Sequence, residues 1–334
     1  MNNGITMIIP VYNNYGTLTK LFHSIKAQIY KNFKVILVDG GSTDGSVSLC
    51  EEQIRKDKRF FLIKSKKLTN RHDASTLRNI GIENVKTKYV TFVDSDDWID
   101  EDHLDNLFKN VEGTELCVCG WTHSEVKAHI QYNNSNILDR DEILVKTLGM
   151  KESAGYVFNK LFLTKIIIEN NIRFNSNYKI SEDLLFCIEY ITKIKHGVIL
   201  KSANTYHYIK REGSITTTVY LRNPFIELNS IRSMHSSLVG CSKRVRKAYS
   251  VHKLMAYNTV FRIKNEVNVP SSFIDTARKE IIENICLVFS SKEYALKSRV
   301  ALICFALFPN AVTKCFALFP NAVTKYRILK RKFL

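Results

Sequence analysis

Tyr89-Val-Thr-Phe-Val-Asp-Ser-Asp-Asp-Trp98 is the stretch on which the fold turns. It opens as a run of β-branched and aromatic residues, the composition of a buried strand. It stops at three carboxylates, Asp94, Asp96 and Asp97. Charge gathered at the end of a buried strand requires a cation, a set of donors or open water at that edge. In an extended chain Asp94 and Asp96 point the same way. Two hard oxygen ligands on one side suit Mg2+ or Mn2+, with a substrate's phosphates completing the shell. The plainer alternative is an acidic turn, with Asp97 capping a helix over 98–110.

Upstream, the same pattern recurs. Residues 5–13 form a short apolar strand that runs into Pro10 and Asn13, and helix spacing follows over 15–29. Residues 33–39 are a second strand ending in acid, at Asp39. Gly40-Gly-Ser-Thr-Asp-Gly45 has no bulky side chain and opens a helix over 46–58. A strand over 60–64, a helix over 74–85 carrying Arg78, and a strand over 115–121 complete the alternation. This order predicts an α/β fold with a mostly parallel sheet covered on both faces. Ligands of such sheets bind at the carboxyl ends of strands. Pro10–Asn13, Asp39–Asp44 and Asp94–Asp97 all gather there, which predicts a phosphate-bearing, metal-assisted ligand. The glycine turn is neither a P-loop nor a GxGxxG motif, and carries weight only beside the two acidic strand ends.

Further on, helices are expected over 139–148 and 164–171, with Phe158-Asn-Lys-Leu-Phe162 leading into the second. Another opens at Ile180-Ser-Glu-Asp183, with Ser181 as N-cap. Glu182 and Asp183 can be read simply as first-turn acids compensating the helix dipole. Short strands over 198–200 and 205–208 follow. After Tyr220 helical periodicity takes over, over 225–238, 245–264, 273–289 and 293–308. Cys304-Phe-Ala-Leu-Phe-Pro-Asn-Ala-Val-Thr-Lys314 then recurs identically as 315–325, a tandem duplication rather than a solenoid, and the chain ends in a basic, apolar tail from Tyr326.

The 334 residues are 45% hydrophobic and 24% charged, as in a globular protein of one large or two ordinary domains. The apolar segment at 5–11 reads as a strand rather than a signal sequence, and no run approaches the length of a membrane span. The eight cysteines are scattered without zinc-site spacing, which fits reduced, buried thiols in a cytosolic protein. The net charge is +17, and the part from Tyr220 onward carries about twenty Lys and Arg against about six acids. Two readings of that third stand open: a peripheral anchor on anionic membrane, or a helical subdomain with a solvated basic end. The basic residues follow no nucleic-acid reader, so no nucleic-acid partner is expected.

Ile8-Ile-Pro-Val-Tyr-Asn13, Val38-Asp-Gly-Gly-Ser-Thr-Asp-Gly45, Leu77-Arg-Asn-Ile-Gly-Ile82, Phe92-Val-Asp-Ser-Asp-Asp97, Asn159-Lys-Leu-Phe162 and Ser181-Glu-Asp-Leu184 occur in this order over about residues 4–215. Together they resemble family 2 glycosyltransferases, which use the GT-A fold and nucleotide-diphosphate sugars. The motifs place a catalytic domain over 1–219, and 220–334 lies outside them as the basic helical region for which membrane association is one of the two open readings. The resemblance implies a donor site of Pro10, Val11, Tyr12, Asn13, Asp39, Gly41, Arg78, Asp94 and Ser95, with Arg78 on the diphosphate. Asp96 and Asp94 would hold Mn2+ or Mg2+, Asp183 would be the general base and Glu182 its support. His207 is a further candidate ligand, against the alternative of a packed histidine. Direct displacement would invert the anomeric centre. A UDP-sugar is favoured as donor, with the base open, and a glycan or lipid-linked hydroxyl as acceptor in surface polysaccharide or glycolipid synthesis. The implied location is the cytoplasm, peripheral on the inner face of the cytoplasmic membrane.

The chain departs from the family pattern at three places. Gly40 stands where a second acid is common, Arg71-His-Asp73 replaces an Asn-x-Gly pattern, and Glu101 replaces a proline. Tyr206-His-Tyr208 with Arg211 resembles a segment approaching the diphosphate and acceptor. Two other functions remain open: an inactive nucleotide-sugar-binding subunit of a membrane assembly complex, and a metal-dependent nucleotidyltransferase.

Overall fold

A computed structural model describes residues 2–69, 71–123, 135–149, 155–209, 219, 223, 225–263, 267, 269–292 and 294–308. The expectations for Arg211, for the second repeat copy and for the tail lie outside these residues. So does the exact boundary at 219/220.

The first half is built as the sequence predicts. Strands β1 (Asn2–Val11), β2 (Phe33–Asp39), β3 (Phe60–Lys64) and β4 (Thr87–Phe92) lie parallel, in the order β3-β2-β1-β4. Helices α1 (Tyr15–Lys26), α2 (Ser46–Lys56) and α3 (Ala74–Glu83) connect them. Register sets the strand ends level: Val11 pairs with Asp39, and Ile8 with Phe92. Alternation along β1 divides the core. Met7, Ile9 and Val11 join the cluster that includes Leu18, Leu21 and Phe22 of α1, while Ile8 joins the cluster on the other face. A strand buried on both faces must be apolar throughout, which is how β1 reads.

The second half mixes directions. Strand β5 (Trp98–Ile99) and helix α4 (His103–Asn110) follow the acidic cluster, in place of the single helix expected from Trp98. Next come β6 (Leu116–Thr122), β7 (Ser135–Asp139), α5 (Arg140–Leu148), β8 (Lys160–Leu163), α6 (Thr164–Glu169), α7 (Glu182–Ile191) and β9 (His196–His207). Strand β8 inserts antiparallel between β4 and β6. One long β9 takes the place of the two short strands expected, and pairs with β5, β6 and β7.

The helices after residue 225 are α8 (Ile226–Ser233), α9 (His235–Leu238), α10 (Lys243–Ile263), α11 (Ser271–Glu283), α12 (Ile285–Ser290) and α13 (Leu296–Leu307). The helix expected over 273–289 is broken at Asn284, and that over 225–238 at Met234. These helices share a hydrophobic core with the sheet. Ile8 and Phe92, Leu144 of α5, Ile188 of α7, Ile231 of α8 and Leu254 of α10 belong to one buried cluster. Polar contacts add to this junction: the Leu148 carbonyl at the end of α5 accepts from Tyr294 Oη at 2.6 Å and lies 2.8 Å from His252 Nδ1.

Candidate active site

The chain grows away from β1 in one direction through β2 and β3, then returns to its other side with β4. This reversal opens a crevice beyond the carboxyl ends of β1 and β4. Loops from both halves of the chain line it.

At the β1–β2 side, Asn13 adopts φ 53°, a left-handed value uncommon outside glycine. Its Oδ1 accepts the Thr43 N–H at 2.9 Å, and its own N–H donates to Ser42 Oγ at 3.0 Å, so the two loops are laced together. Asp39 is buried and accepts the Gly41 N–H at 2.8 Å and the Ser42 N–H at 3.3 Å. Gly41 holds φ 93°, which a side chain would strain. Pro10 and Val11 are buried behind this turn, while Tyr12 is 40% exposed at its mouth.

Two of the departures from the family pattern meet here. The His72 ring stacks on Tyr12 with centroids 4.3 Å apart. A Cβ at position 40 would come within 2.9 Å of His72 Cβ. The missing side chain at Gly40 and the added ring at His72 are thus one packing arrangement. Arg71 fixes the loop through Asp73 and the Ser176 carbonyl, and Asp73 caps α3 through the Thr76 N–H.

Arg78 is the centre of the site. Helix α3 approaches β1 closely, because a Cβ on Gly81 would meet Ile8 Cγ2 at 2.4 Å. One turn earlier, Arg78 is thereby carried into the crevice with only 4% of its side chain exposed. Its Nη2 donates to Asp94 Oδ1 at 2.7 Å and its Nη1 to Asp183 Oδ1 at 2.8 Å, with Glu182 Oε1 at 3.8 Å. One guanidinium therefore joins carboxylates 89 positions apart in the chain, since 183 − 94 = 89. Burial opposes its charge, but Asp183, Asp94 and Glu182 more than offset this and hold its pKa above the usual arginine value.

Asp183 and Glu182 start α7. Ser181 occupies the N-cap position at φ 61°, and its hydroxyl makes no capping bond, contrary to the expected cap. Gly155 admits the neighbouring loop, since a Cβ there would lie 2.7 Å from Leu184 Cβ. That close approach delivers the Val157 N–H to Asp183. Burial, and after it the Asp94 charge, raise the Asp183 pKa against the pull of Arg78, Val157 and Lys160. Glu182 is pushed up to about 7, first by burial and then by Asp183. Beneath them lies a residue without a foreseen role. Lys160 is fully buried, donating to the Tyr156 carbonyl at 2.7 Å and Asn159 Oδ1 at 2.9 Å, and burial lowers its pKa.

The acidic strand end divides into separate jobs. Asp94 meets Arg78, and Asp96 is partly exposed. Ser95 turns inward and donates to Asn14 Oδ1 at 2.9 Å. Asp97 does not cap a helix. It is buried, accepting from Tyr206 Oη at 2.6 Å and the Ile209 N–H at 2.8 Å, and burial with repulsion from Asp94 and Asp96 pushes it up to about 8. The Tyr206 hydroxyl also accepts the Asp94 N–H at 3.1 Å, so it fixes both ends of the acidic turn. Only its position in a Tyr-His-Tyr run flagged Tyr206 in advance. His207 is fully buried, its ring flat on Trp98 at 3.5 Å and its Nε2 3.1 Å from Asp100 Oδ1. Among the described residues no three His, Cys, Asp or Glu side chains converge on one metal position. The hard-oxygen pair Asp94 and Asp96 still fits Mg2+ or Mn2+ whose remaining ligands come from a phosphate-bearing donor.

Comparison with known proteins identifies the family and the fold. The profile of Glycosyl transferase family 2 matches residues 6–174. Glycosyltransferase GlyA of Streptococcus pneumoniae is 30% identical over 232 residues, 65% of this chain and 32% of GlyA, so the chain spans about a third of that relative. An uncharacterized glycosyltransferase of Haemophilus influenzae is 43% identical over 203 residues, 58% of this chain and 74% of its own length. Among solved structures, S. aureus TarS 1-349 in complex with UDP-GlcNAc superposes with a TM-score of 0.66 at 18% identity, covering 97% of this chain and 91% of that one. The shared fold extends through the helices after residue 225. The profile covers half of the chain, and this chain belongs to glycosyl transferase family 2.

Proposed function

We propose that the protein is a metal-dependent, inverting glycosyltransferase that moves a sugar from a nucleotide-diphosphate donor to a hydroxyl of a glycan or lipid-linked acceptor in surface polymer synthesis. The observation that carries this reading is Arg78 between Asp94 and Asp183, a cation set between a diphosphate-side carboxylate and a candidate base. UDP is the favoured carrier, supported by the UDP-GlcNAc held by TarS on the same fold.

The donor's base would lie at Tyr12, Asn13 and the Asp39–Gly41 turn, and its diphosphate beside Arg78, Asp94 and Ser95. Asp96 and Asp94 would hold Mn2+ or Mg2+, which supplies positive charge to the departing diphosphate. His207, packed between Trp98 and Asp100, acts in this scheme as a structural support.

Arg78 has a second task. Without donor it neutralises Asp183. A diphosphate offers it a partner of higher charge, and a loosened Arg78 leaves Asp183 free to accept a proton. The acceptor oxygen attacks the anomeric carbon as its proton passes to the Asp183 carboxylate. The bond from that carbon to the diphosphate oxygen breaks, and its electron pair leaves with the nucleoside diphosphate. Attack from the face opposite the leaving group inverts the centre. Glu182 adds negative charge that keeps Asp183 basic.

The test is nucleoside-diphosphate release from a panel of nucleotide sugars with Mn2+, with and without acceptor glycans. Asp183→Asn should lower turnover by about 10²–10⁴-fold, with donor affinity kept within about tenfold. Equal turnover of wild type and Asp183→Asn removes the base from the scheme. Pyrophosphate as the product would point to nucleotidyl transfer instead.

A further inference from the structure

Helix α13 is apolar on two sides. Leu302, Phe305 and Ala306 are buried in the core of the helical region. Leu296, Val300, Ile303 and Leu307 recur at i, i+4, i+7 and i+11, which aligns them on one side of the helix. Leu296 is 56% exposed and Leu307 42%, with Val300 half-buried between them and Ile303 packed against the core at the edge of this side. The strip continues beyond the helix. Arg299 donates to the carbonyl of Phe289 and so ties the end of α12 to α13. Phe308, 58% exposed, closes the Leu307 end. Soluble surfaces scatter single apolar residues, and an extended apolar strip marks a docking face.

Charge identifies the occupant. Lys297 is exposed on α13 itself, while Lys279 of α11 is already paired with Glu283 at 4.0 Å. Residues 309–334, which continue directly from Phe308, add six Lys or Arg and no acid to the sequence. A second copy of the chain would bring the same positive charge to this strip. An anionic lipid surface is complementary to it. Among the described residues no helix is long and apolar enough to cross a membrane, so α13 would lie in the interface plane.

We propose that the outer side of α13, with Phe308 at its end, docks on a bilayer rich in anionic headgroups. The apolar side chains enter the acyl boundary, and the lysines reach back to the phosphates. The proposal rests on surface chemistry alone and is independent of the reaction at Asp183.

The test is sedimentation of the full-length chain with phosphatidylcholine vesicles containing or lacking phosphatidylglycerol. Wild type should pellet with the anionic vesicles, stay in solution with the neutral ones, and detach as salt rises. A double change, Leu296→Ser with Leu307→Ser, lies at exposed positions. It should weaken binding at least tenfold while the thermal midpoint stays within a few degrees. Lys297→Glu should weaken it by roughly tenfold or more. Three results overturn the proposal. The first is wild type that does not bind anionic vesicles. The second is binding that survives the double change and disappears with Lys330→Glu and Lys332→Glu, which makes the tail the anchor. The third is a dimer, seen by light scattering, that the double change converts to monomer, which makes a second copy the occupant.

Discussion

Replacing Arg78 by Met keeps the volume and removes the charge. The structure then leaves Asp94 and Asp183 without their cation at 2.7 and 2.8 Å, with Glu182 nearby, all in a mostly buried pocket. Removing one partner of a buried pair costs about 3–5 kcal/mol, because the remaining charge has lost both water and partner. Arg78→Met should therefore destabilise the protein by about that much at pH 8. The loss must shrink in acid. Asp183 and Glu182 already have pKa values raised in the fold, Glu182 to about 7, and loss of Arg78 raises both further. Carboxyls with raised folded pKa values destabilise the fold where they are ionised, and that penalty fades as pH falls and they take up protons. Urea midpoints of wild type and variant at pH 8, 7 and 5.5 measure the difference. The expected gap is largest at pH 8 and at least halved at pH 5.5. A gap under about 1 kcal/mol at pH 8, or one of constant size across the range, would refute the view that Arg78 neutralises these carboxylates.

Three further outcomes follow from the geometry. Activity should fall in acid, since burial raises the Asp183 pKa, and Glu182→Gln, which removes the neighbouring charge, should move that limb of the kcat/KM profile to lower pH. Gly81→Ala should lower stability by about 1–3 kcal/mol, read by thermal melting, and should weaken donor binding because Ile8 forces α3 and Arg78 outward. Tyr206→Phe strands the Asp97 carboxylate and the Asp94 N–H, with a loss of about 1–3 kcal/mol. It should also raise the Mn2+ concentration needed for half-maximal turnover, measured by metal titration.

Much of the site was legible because each of its parts is local. A strand that ends in acid, a glycine turn and a helix opening with two carboxylates are written within a few residues, and sheet register then levels the strand ends. What the sequence concealed depends on distant partners. Asp97 reads as a helix cap until β9 supplies Tyr206, 109 positions along the chain. Residues 98–99 have helix neighbours on one side, yet pairing with Tyr206 and His207 makes them a strand. Lys160 looks like a solvated charge inside an Asn-Lys-Leu-Phe run, and becomes a buried one because β8 inserts between β4 and β6. The break at Asn284 occurs without proline or glycine, and helical periodicity runs on through it. The pairing of Gly40 with His72 was visible as two separate departures, with nothing in the sequence to join them.

The core shared by the sheet and the later helices bears on how such chains can recombine. The composition changes near residue 220, which invites a gene fusion or a chimera there. Packing does not respect that border: α8 rests on α7 and α10 on α5, with Leu148 bonded to Tyr294. A crossover at 220 would pair helices with a sheet they were not shaped to fit, and strip the cover from Leu185 and Ile188 directly behind the Asp183 turn. Heritable exchange between relatives should therefore move residues from α5 through α13 as one cassette, so that the later helices and the Asp183 turn they pack behind change together.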